Sequence, residues 1–487
     1  MSKPSTMRLS ALAAAALLAG CSMIPTYERP AAPVGADWPA ALATAASPDT
    51  QSPAAVDLPW QEYFADERLR RLIGAALENN RDLRVAVLNI EQARAQFQIQ
   101  RAAQFPAVGL AASATRAPSV VNGKQANTFS AGLAVTSWEI DFFGRIASLK
   151  EQALSQYLAT EEGRKATQIS LVAAVANGWL NLLADEELLD ISRRTLQTRE
   201  DSVKLTKLRL DNGVASALDY QQALSLTESA RATLAQQQRQ RAQDENALVL
   251  LLGQPLPDDI RASTAQLRLA DAPLMADLPA GLPSDLLTHR PDIRQAEQQL
   301  IGANANIGAA RANFFPRISL TAQAGTASNE LSGLFKSGSW GFTLAPQLLL
   351  PIFNAGSNRA TLAASEANRA IAVAQYEKSI QTAFREVADA LAGRPTLGDQ
   401  LRAQRAQVEA QSAAFDLSDL RYRNGVASYL DLLDAQRSLF TAQQQAVSTR
   451  LAQLQNQVTL YKVLGGGWSD PAPAPVASAP AAQAPLR

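Results

Sequence analysis

The chain has 487 residues, with 45 basic side chains against 45 acidic ones and a formal net charge of zero. That balance excludes a general attraction to nucleic acid, and a lone cysteine excludes any internal disulfide. Ala, Gln, Leu, Glu and Arg dominate, the composition of long helices, and the length would fill two or three ordinary domains.

At the N-terminus Arg8 precedes an apolar stretch, 9–19, that is too short to cross a bilayer. It ends in Leu18-Ala19-Gly20-Cys21, which resembles a bacterial lipobox. The reading is a signal peptide over 1–20, cut to leave Cys21 acylated, then a lipid-anchored extended segment over 21–58. Past the signal no run of eighteen apolar residues occurs, so any membrane span has to be made of strands.

The rest of the chain is one unit written twice. Asn212-Gly213-Val214-Ala215-Ser216 recurs 212 residues later as Asn424-Gly425-Val426-Ala427-Ser428, and each is followed by a Leu-Asp pair, Leu218-Asp219 and Leu430-Asp431. Phe105-Pro106 recurs as Phe315-Pro316, and Gly144-Arg145 matches Gly356-Ser357. Several landmarks in one order at nearly one spacing indicate a duplicated supersecondary unit. The first repeat covers 59–253 and the second 284–464.

Within each repeat a helix of about twenty residues, 84–104 or 293–313, stops at an aromatic-proline pair, because proline cannot continue a helix. Alternating segments follow over about 107–140 and 317–352. Val108, Leu110, Ala112 and Ala114 alternate with small or polar residues, as do Trp340, Phe342 and Leu344, which predicts strands whose two faces meet different solvents. Next come helices over 146–211 and 359–424, each roughly 100 Å long at 1.5 Å per residue. Asn-Gly supplies the left-handed turn that ends them. Return helices over 215–252 and 427–464 are about 57 Å long; the second carries Leu433, Phe440, Val447, Leu454 and Tyr461 at steps of seven. Pro395, after Gly393-Arg394, predicts a break halfway along the second long helix. A proline-rich crossover, 254–283, joins the repeats, and the Pro/Ala-rich tail, 465–487, has the composition of a disordered segment.

Four membrane-length strands cannot close a barrel, which needs about eight, and open edges are not tolerated in lipid. Three copies give twelve strands and room for a lumen. The fold expected is therefore an α+β membrane protein: a homotrimeric 12-stranded β-barrel continued by a long periplasmic α-helical barrel with a mixed equatorial belt.

That order of elements, twice over, resembles the TolC/OprM family of outer-membrane efflux proteins. The local matches are Trp138-Glu139-Ile140-Asp141-Phe142-Phe143-Gly144-Arg145, Arg421-Tyr422-Arg423-Asn424-Gly425, the run from Leu432 to Leu439, and Leu460 to Trp468. With the lipobox and Tyr27-Glu28-Arg29-Pro30, the likeness is to the OprM-like lipoproteins that serve resistance-nodulation-division pumps. Ser22 after Cys21 then implies sorting to the outer membrane. The resemblance implies a passive exit duct for a tripartite multidrug pump, with a periplasmic membrane-fusion adaptor and an inner-membrane pump as partners and outer-membrane lipid around the barrel. Two other readings stay open: a type I secretion outlet, and a non-conducting coiled-coil envelope lipoprotein.

No catalytic constellation, zinc spacing or phosphate loop is present, so neither an enzyme nor a cofactor other than the Cys21 lipid is expected. His289, the single histidine, beside Arg290-Pro291, reads as a surface or capping residue. Asp431 and Asp434, three apart, share a helix face. Around a three-fold axis they would stack two carboxylate rings, which select cations; the plainer alternative is two solvated acids on an exposed turn. By position in the family, Leu430 and Val426 would form the apolar part of a periplasmic gate, and Tyr422 and Arg423 would tie it to Asp219. Ala427 stands where some members have arginine, so that ion pair is lacking. The small residues of the two tips, Gly213, Val214, Ala215 and Ser216 with Gly425, Val426, Ala427 and Ser428, are the contact the resemblance implies for the adaptor.

Overall fold

The structure is a computed structural model that describes residues 22–35, 38, 54–118, 123, 125–273, 275, 278–279 and 287–468. The signal peptide, Cys21, most of the segment up to 58, residues 122 and 124 of the first strand turn, and the tail beyond 468 lie outside the described residues. In chain order the main elements are α1 (Trp60–Tyr63), α2 (Glu67–Asn79), α3 (Arg81–Ala102), β1 (Val108–Pro118), β2 (Gln125–Ile140), α4 (Arg145–Asp211), α5 (Ala217–Leu252), α6 (Asp258–Thr264), α7 (Pro291–Ala312), β3 (Arg317–Ser328), β4 (Trp340–Leu349), α8 (Ser357–Arg423) and α9 (Tyr429–Val463). They form two compact units. The first comprises Met1–Pro33, Val87–Gly163 and Asp292–Ser379; the second comprises Val34–Ala86, Arg164–Pro291 and Ile380–Arg487.

The first unit is built on one antiparallel sheet, order β1-β2-β3-β4, in which the two hairpins join through β2 and β3. The registers put Val108, Leu110 and Ala114 beside Val135, Leu133 and Phe129, then Ala322 and Ala324, then Leu344 and Phe342. On the other face lie Ser113 and Thr115, then Ser130 and Thr128, then Gln323, then Thr343 and Gln347. The sheet therefore has an apolar face and a small, polar one, with Ser113 and Ser130 hydrogen-bonded across it at 2.8 Å. The apolar face is bare: Leu110, Phe342 and Leu348 are 84, 75 and 66 % exposed. Ala111, Gly132, Gly325 and Gly341 are in register as a row across all four strands. At its centre the backbones come so close that a Cβ on Gly132 would lie 2.4 Å from the Ala324 carbonyl oxygen. A bulge between Val135 and Trp138, with Ser137 at φ +52°, restores the apolar alternation after one extra residue.

Gly144, at φ +70°, turns the chain from β2 into α4, where the Asp141 carboxylate accepts from the Ala147 N–H at 2.8 Å. Arg145 grips Glu139 with two hydrogen bonds of 2.7 and 2.8 Å, and Phe143 stacks on Phe315 at 4.9 Å. The N-terminal segment is strapped to α7. Arg29 and Tyr27 both donate to Glu297, Asn304 donates to the Pro25 carbonyl at 2.7 Å, and Ile24 occupies the space that a side chain at Gly308 would need.

In the second unit Trp179, Leu182, Leu248, Leu252 and Tyr461 are almost wholly buried. Tyr461 stacks on Tyr63 at 4.1 Å and donates to the Leu58 carbonyl at 2.6 Å. One stretch of α4 is apolar and long enough to cross a membrane by composition, which the count of consecutive apolar residues missed, but 61 % of it is buried inside the protein. It is core. The expected break at Pro395 does not occur: α8 runs through it. Side chains engage the two carbonyls that flank that of Leu391, the one Pro395 cannot serve. The Asn456 amide donates to the Ala390 carbonyl at 2.9 Å and the Thr396 hydroxyl to Ala392 at 2.8 Å, while Gly393 leaves room for Asn456 to approach. His289 is exposed and its carbonyl lies against Gly465.

Asp185, buried on α4, has its carboxyl pushed up to about 7, first by burial and then by its hydrogen bond to and repulsion from Asp244. Its folded value lies above the ordinary 3.8, so the stability it contributes is complete below about 3.8 and is lost as pH rises through about 7. Asp185→Asn should flatten the thermal midpoint against pH between 4 and 7; an unchanged slope would dismiss this carboxyl as its source. For the sheet, Gly132→Val should prevent β2 from pairing with β3 and remove the protein from the outer-membrane fraction. Gly109→Val, where nothing lies within 4 Å, should insert normally.

Candidate functional site at the paired helical tips

The two tips, both in the second unit, are near copies in backbone geometry. Gly213 and Gly425 end α4 and α8 at φ +74° and +75°, where a side chain would be strained. In each, two N–H groups turn back to the helix: Gly213 to Leu210 and Val214 to Arg209, Gly425 to Tyr422 and Val426 to Arg421, at 2.8–3.0 Å. Asn212 and Asn424 donate from their side chains to Leu208 and Leu420. Ser216 and Ser428 then open the return helices with reciprocal capping boxes. The Ser216 hydroxyl accepts from the Asp219 N–H while Asp219 Oδ2 accepts from the Ser216 N–H, both at 3.1 Å; Ser428 and Asp431 repeat this at 3.2 Å. The repeated Ser-x-x-Asp is thus first a helix-starting device.

Beyond the cap, α9 is two-faced. Tyr429, Leu432 and Leu433 are buried in a cluster with Ala223 and Tyr422, which Leu226 and Phe415 border. Leu430, Asp431 and Asp434 face outward, with Leu430 59 % exposed and Val426, on the turn, 67 % exposed. Val426, Leu430, Asp431 and Asp434 are thus all exposed at the tip. Burial, with Tyr422 beside it, pushes the Tyr429 phenol up to about 12. Val214 and Leu218 are exposed on the first tip, so each hairpin end presents one valine and one leucine to its surroundings.

The expected tie differs. Arg423 pairs with Asp419 on its own helix at 2.7 Å, not with Asp219, whose carboxylate caps α5. Tyr422 is 6 % exposed and belongs to the core cluster. Arg209, which sequence reasoning missed, makes the link instead: its Nη1 donates to the Tyr422 carbonyl at 3.2 Å and its guanidinium carbon lies 4.7 Å from the centre of the Tyr422 ring. Gln436 adds a second link, donating to the Ser202 hydroxyl at 3.2 Å. No cluster of three metal-ligating side chains occurs among the described residues.

A model of the outer membrane efflux protein family matches residues 72–254 and again 282–466, one match for each half of the duplication. The chain belongs to the outer membrane efflux protein family. It is 50 % identical over 468 residues to the toluene efflux pump outer membrane protein TtgC of Pseudomonas putida, covering 94 % of this chain and 95 % of that one. It is 45 % identical to the outer membrane protein OprJ of Pseudomonas aeruginosa, covering 96 and 98 %. Among solved structures, the open state of the MtrE outer membrane channel of Neisseria gonorrhoeae superposes with a TM-score of 0.80 at 41 % identity, covering 92 % of this chain and 99 % of that one. This family member is accordingly an α+β outer-membrane protein, and its relatives are channels rather than enzymes.

The capping boxes can be tested directly. Ser428→Ala removes the acceptor of the Asp431 N–H and should cost about 1 kcal/mol locally. Amide exchange in the first turn of α9 should then be roughly fivefold faster, and Ser428→Asp should restore it. Equal exchange in wild type and Ser428→Ala would mean that the cap does not hold the turn.

Proposed function

We propose that this family member works as a homotrimeric exit duct of a tripartite efflux pump, anchored by a lipid on Cys21. The observation that carries the reading is the sheet. It has one bare apolar face, one small polar face and two edge strands, β1 and β4, with no neighbouring strand among the described residues. Backbone groups left unpaired in lipid cost several kcal/mol each, so β4 of one copy pairs with β1 of the next until the barrel closes. Four strands per chain make three copies the smallest closure that leaves a lumen. The strap formed by Tyr27 and Arg29 on Glu297 fixes the chain just after Cys21 against α7, which supports a short lipid tether.

At the periplasmic end Asp431 and Asp434 ring the three-fold axis, with Leu430 and Val426 as the apolar part of the constriction. Arg209, Tyr422 and Arg423 with its partner Asp419 hold the tip in shape, and Asp219 and Asp431 hold its caps. The exposed small residues of both tips, from Gly213 to Ser216 and from Gly425 to Ser428, are the seat for the helical hairpins of a periplasmic adaptor, behind which the inner-membrane resistance-nodulation-division pump does the work. The duct itself is passive.

Single-channel recordings separate the two roles at the tip. Asp431→Asn with Asp434→Asn should abolish cation preference and weaken block by divalent cations. Arg209→Leu should raise conductance, with cation preference unchanged. Loss of both aspartates without a change in selectivity would reduce them to solvated helix residues and end the gate assignment.

A further inference from the structure

Between α4 on one side and α8 and α9 on the other, within the second unit, lies a cavity of about 140 Å³. Ile191, Phe415, Leu439 and Phe440 give it apolar walls, and Arg194, Arg199 and Gln436 are among its polar ones. Arg199 is only 5 % exposed. Its Nη1 donates to the Leu226 carbonyl at 3.0 Å and its guanidinium carbon lies 5.3 Å from the centre of the Phe440 ring, but its buried Nε has no hydrogen-bond partner. It forms no ion pair among the described residues. The charge facing it is that of Arg437, which together with burial pushes the guanidinium below its ordinary value. Gln436 Oε1 is a second buried atom without a partner.

A buried cation with no counter-ion is costly, and a fold keeps one where something answers it. We propose that this cavity is a binding site for a small aromatic carboxylate. The charge selects an anion, because the guanidinium is otherwise balanced only by one carbonyl and one ring face. The size selects the body: a space of about 150 Å³ lined by apolar side chains holds a benzene ring. Arg194 is already paired with Asp190, so two phenylalanines and two aliphatic side chains around the buried Arg199 guanidinium suit a flat ring bearing one carboxylate better than phosphate or sulfate, which would leave the apolar walls unfilled. Gln436 lines the same cavity, its NH₂ donating to the Ser202 hydroxyl, which in turn donates to the Thr198 carbonyl at 3.0 Å. The site bridges the two repeats, since Arg199 belongs to the first and Phe415, Gln436 and Phe440 to the second. Phe415 and Leu226 also border the tip cluster, so an occupant braces the first helix pair against the second just behind the tip.

The test uses the full-length protein in detergent with benzoate, benzyl alcohol and benzylamine as probes, read by calorimetry and by saturation-transfer NMR. Benzoate should bind saturably, benzyl alcohol about tenfold more weakly for want of the charge-assisted hydrogen bonds, and benzylamine not at all. Arg199→Gln should weaken benzoate about tenfold. Leu439→Trp, which keeps the guanidinium but fills the space, should abolish binding and so covers the case in which Arg199→Gln fails to fold. Benzoate should also slow amide exchange over 429–436. Absence of saturable benzoate binding overturns the proposal. So does equal affinity for benzyl alcohol, which would mark an apolar crevice alone, or benzoate binding that neither substitution changes.

Discussion

A backbone amide in hydrocarbon has to find its partner inside the protein, and the organisation of this chain follows from that requirement. Four strands paired in the order β1-β2-β3-β4 satisfy their inner neighbours and leave two edges. Among the described residues only Arg116 puts a charge on an edge strand, while the face between the edges carries Leu110, Phe342 and Leu348 bare. In water such a sheet would aggregate. It becomes stable only where lipid covers the apolar face and other strands take the edges. Association and membrane insertion are then one requirement, not two successive choices.

The helical part obeys a different rule. In water a helix satisfies its own interior hydrogen bonds but leaves its ends open, so the informative positions are the ends. Both tips are closed by the same devices: a glycine near φ +75°, an asparagine turned back onto the last carbonyls, and a serine and an aspartate that cap each other. Asp431 consequently has two duties, one oxygen accepting from the backbone while the carboxylate as a whole faces outward. Asp434, which caps nothing, has only the outward one.

Much of this was readable from residues because duplication writes the same solution twice. The spacing of Asn-Gly-Val-Ala-Ser located the helix ends to within about two residues, and alternation at Trp340, Phe342 and Leu344 located β4. What failed was local reasoning about long-range effects. Pro395 looked like a helix break because a sequence does not show Asn456 and Thr396 taking up the carbonyls around it. Arg423 was expected as a tie from its position in the family, whereas within the chain it pairs with Asp419, one turn behind it. Arg209 carried no signal at all, since its partner Tyr422 is 213 positions away and is recognised through a carbonyl and a ring face. The capping boxes were readable, because Ser followed three residues later by Asp stands in both repeats.

The row of Ala111, Gly132, Gly325 and Gly341 bears on how the proposed trimeric barrel would conduct. Repeated around the ring, it makes a belt with almost no side chains, so the bore there is lined by backbone and water. An applied voltage falls where the bore is narrow and hardly at all across such a belt. In the proposed trimer the electrical resistance would lie away from this belt, and side chains near it could vary in size with little effect on current.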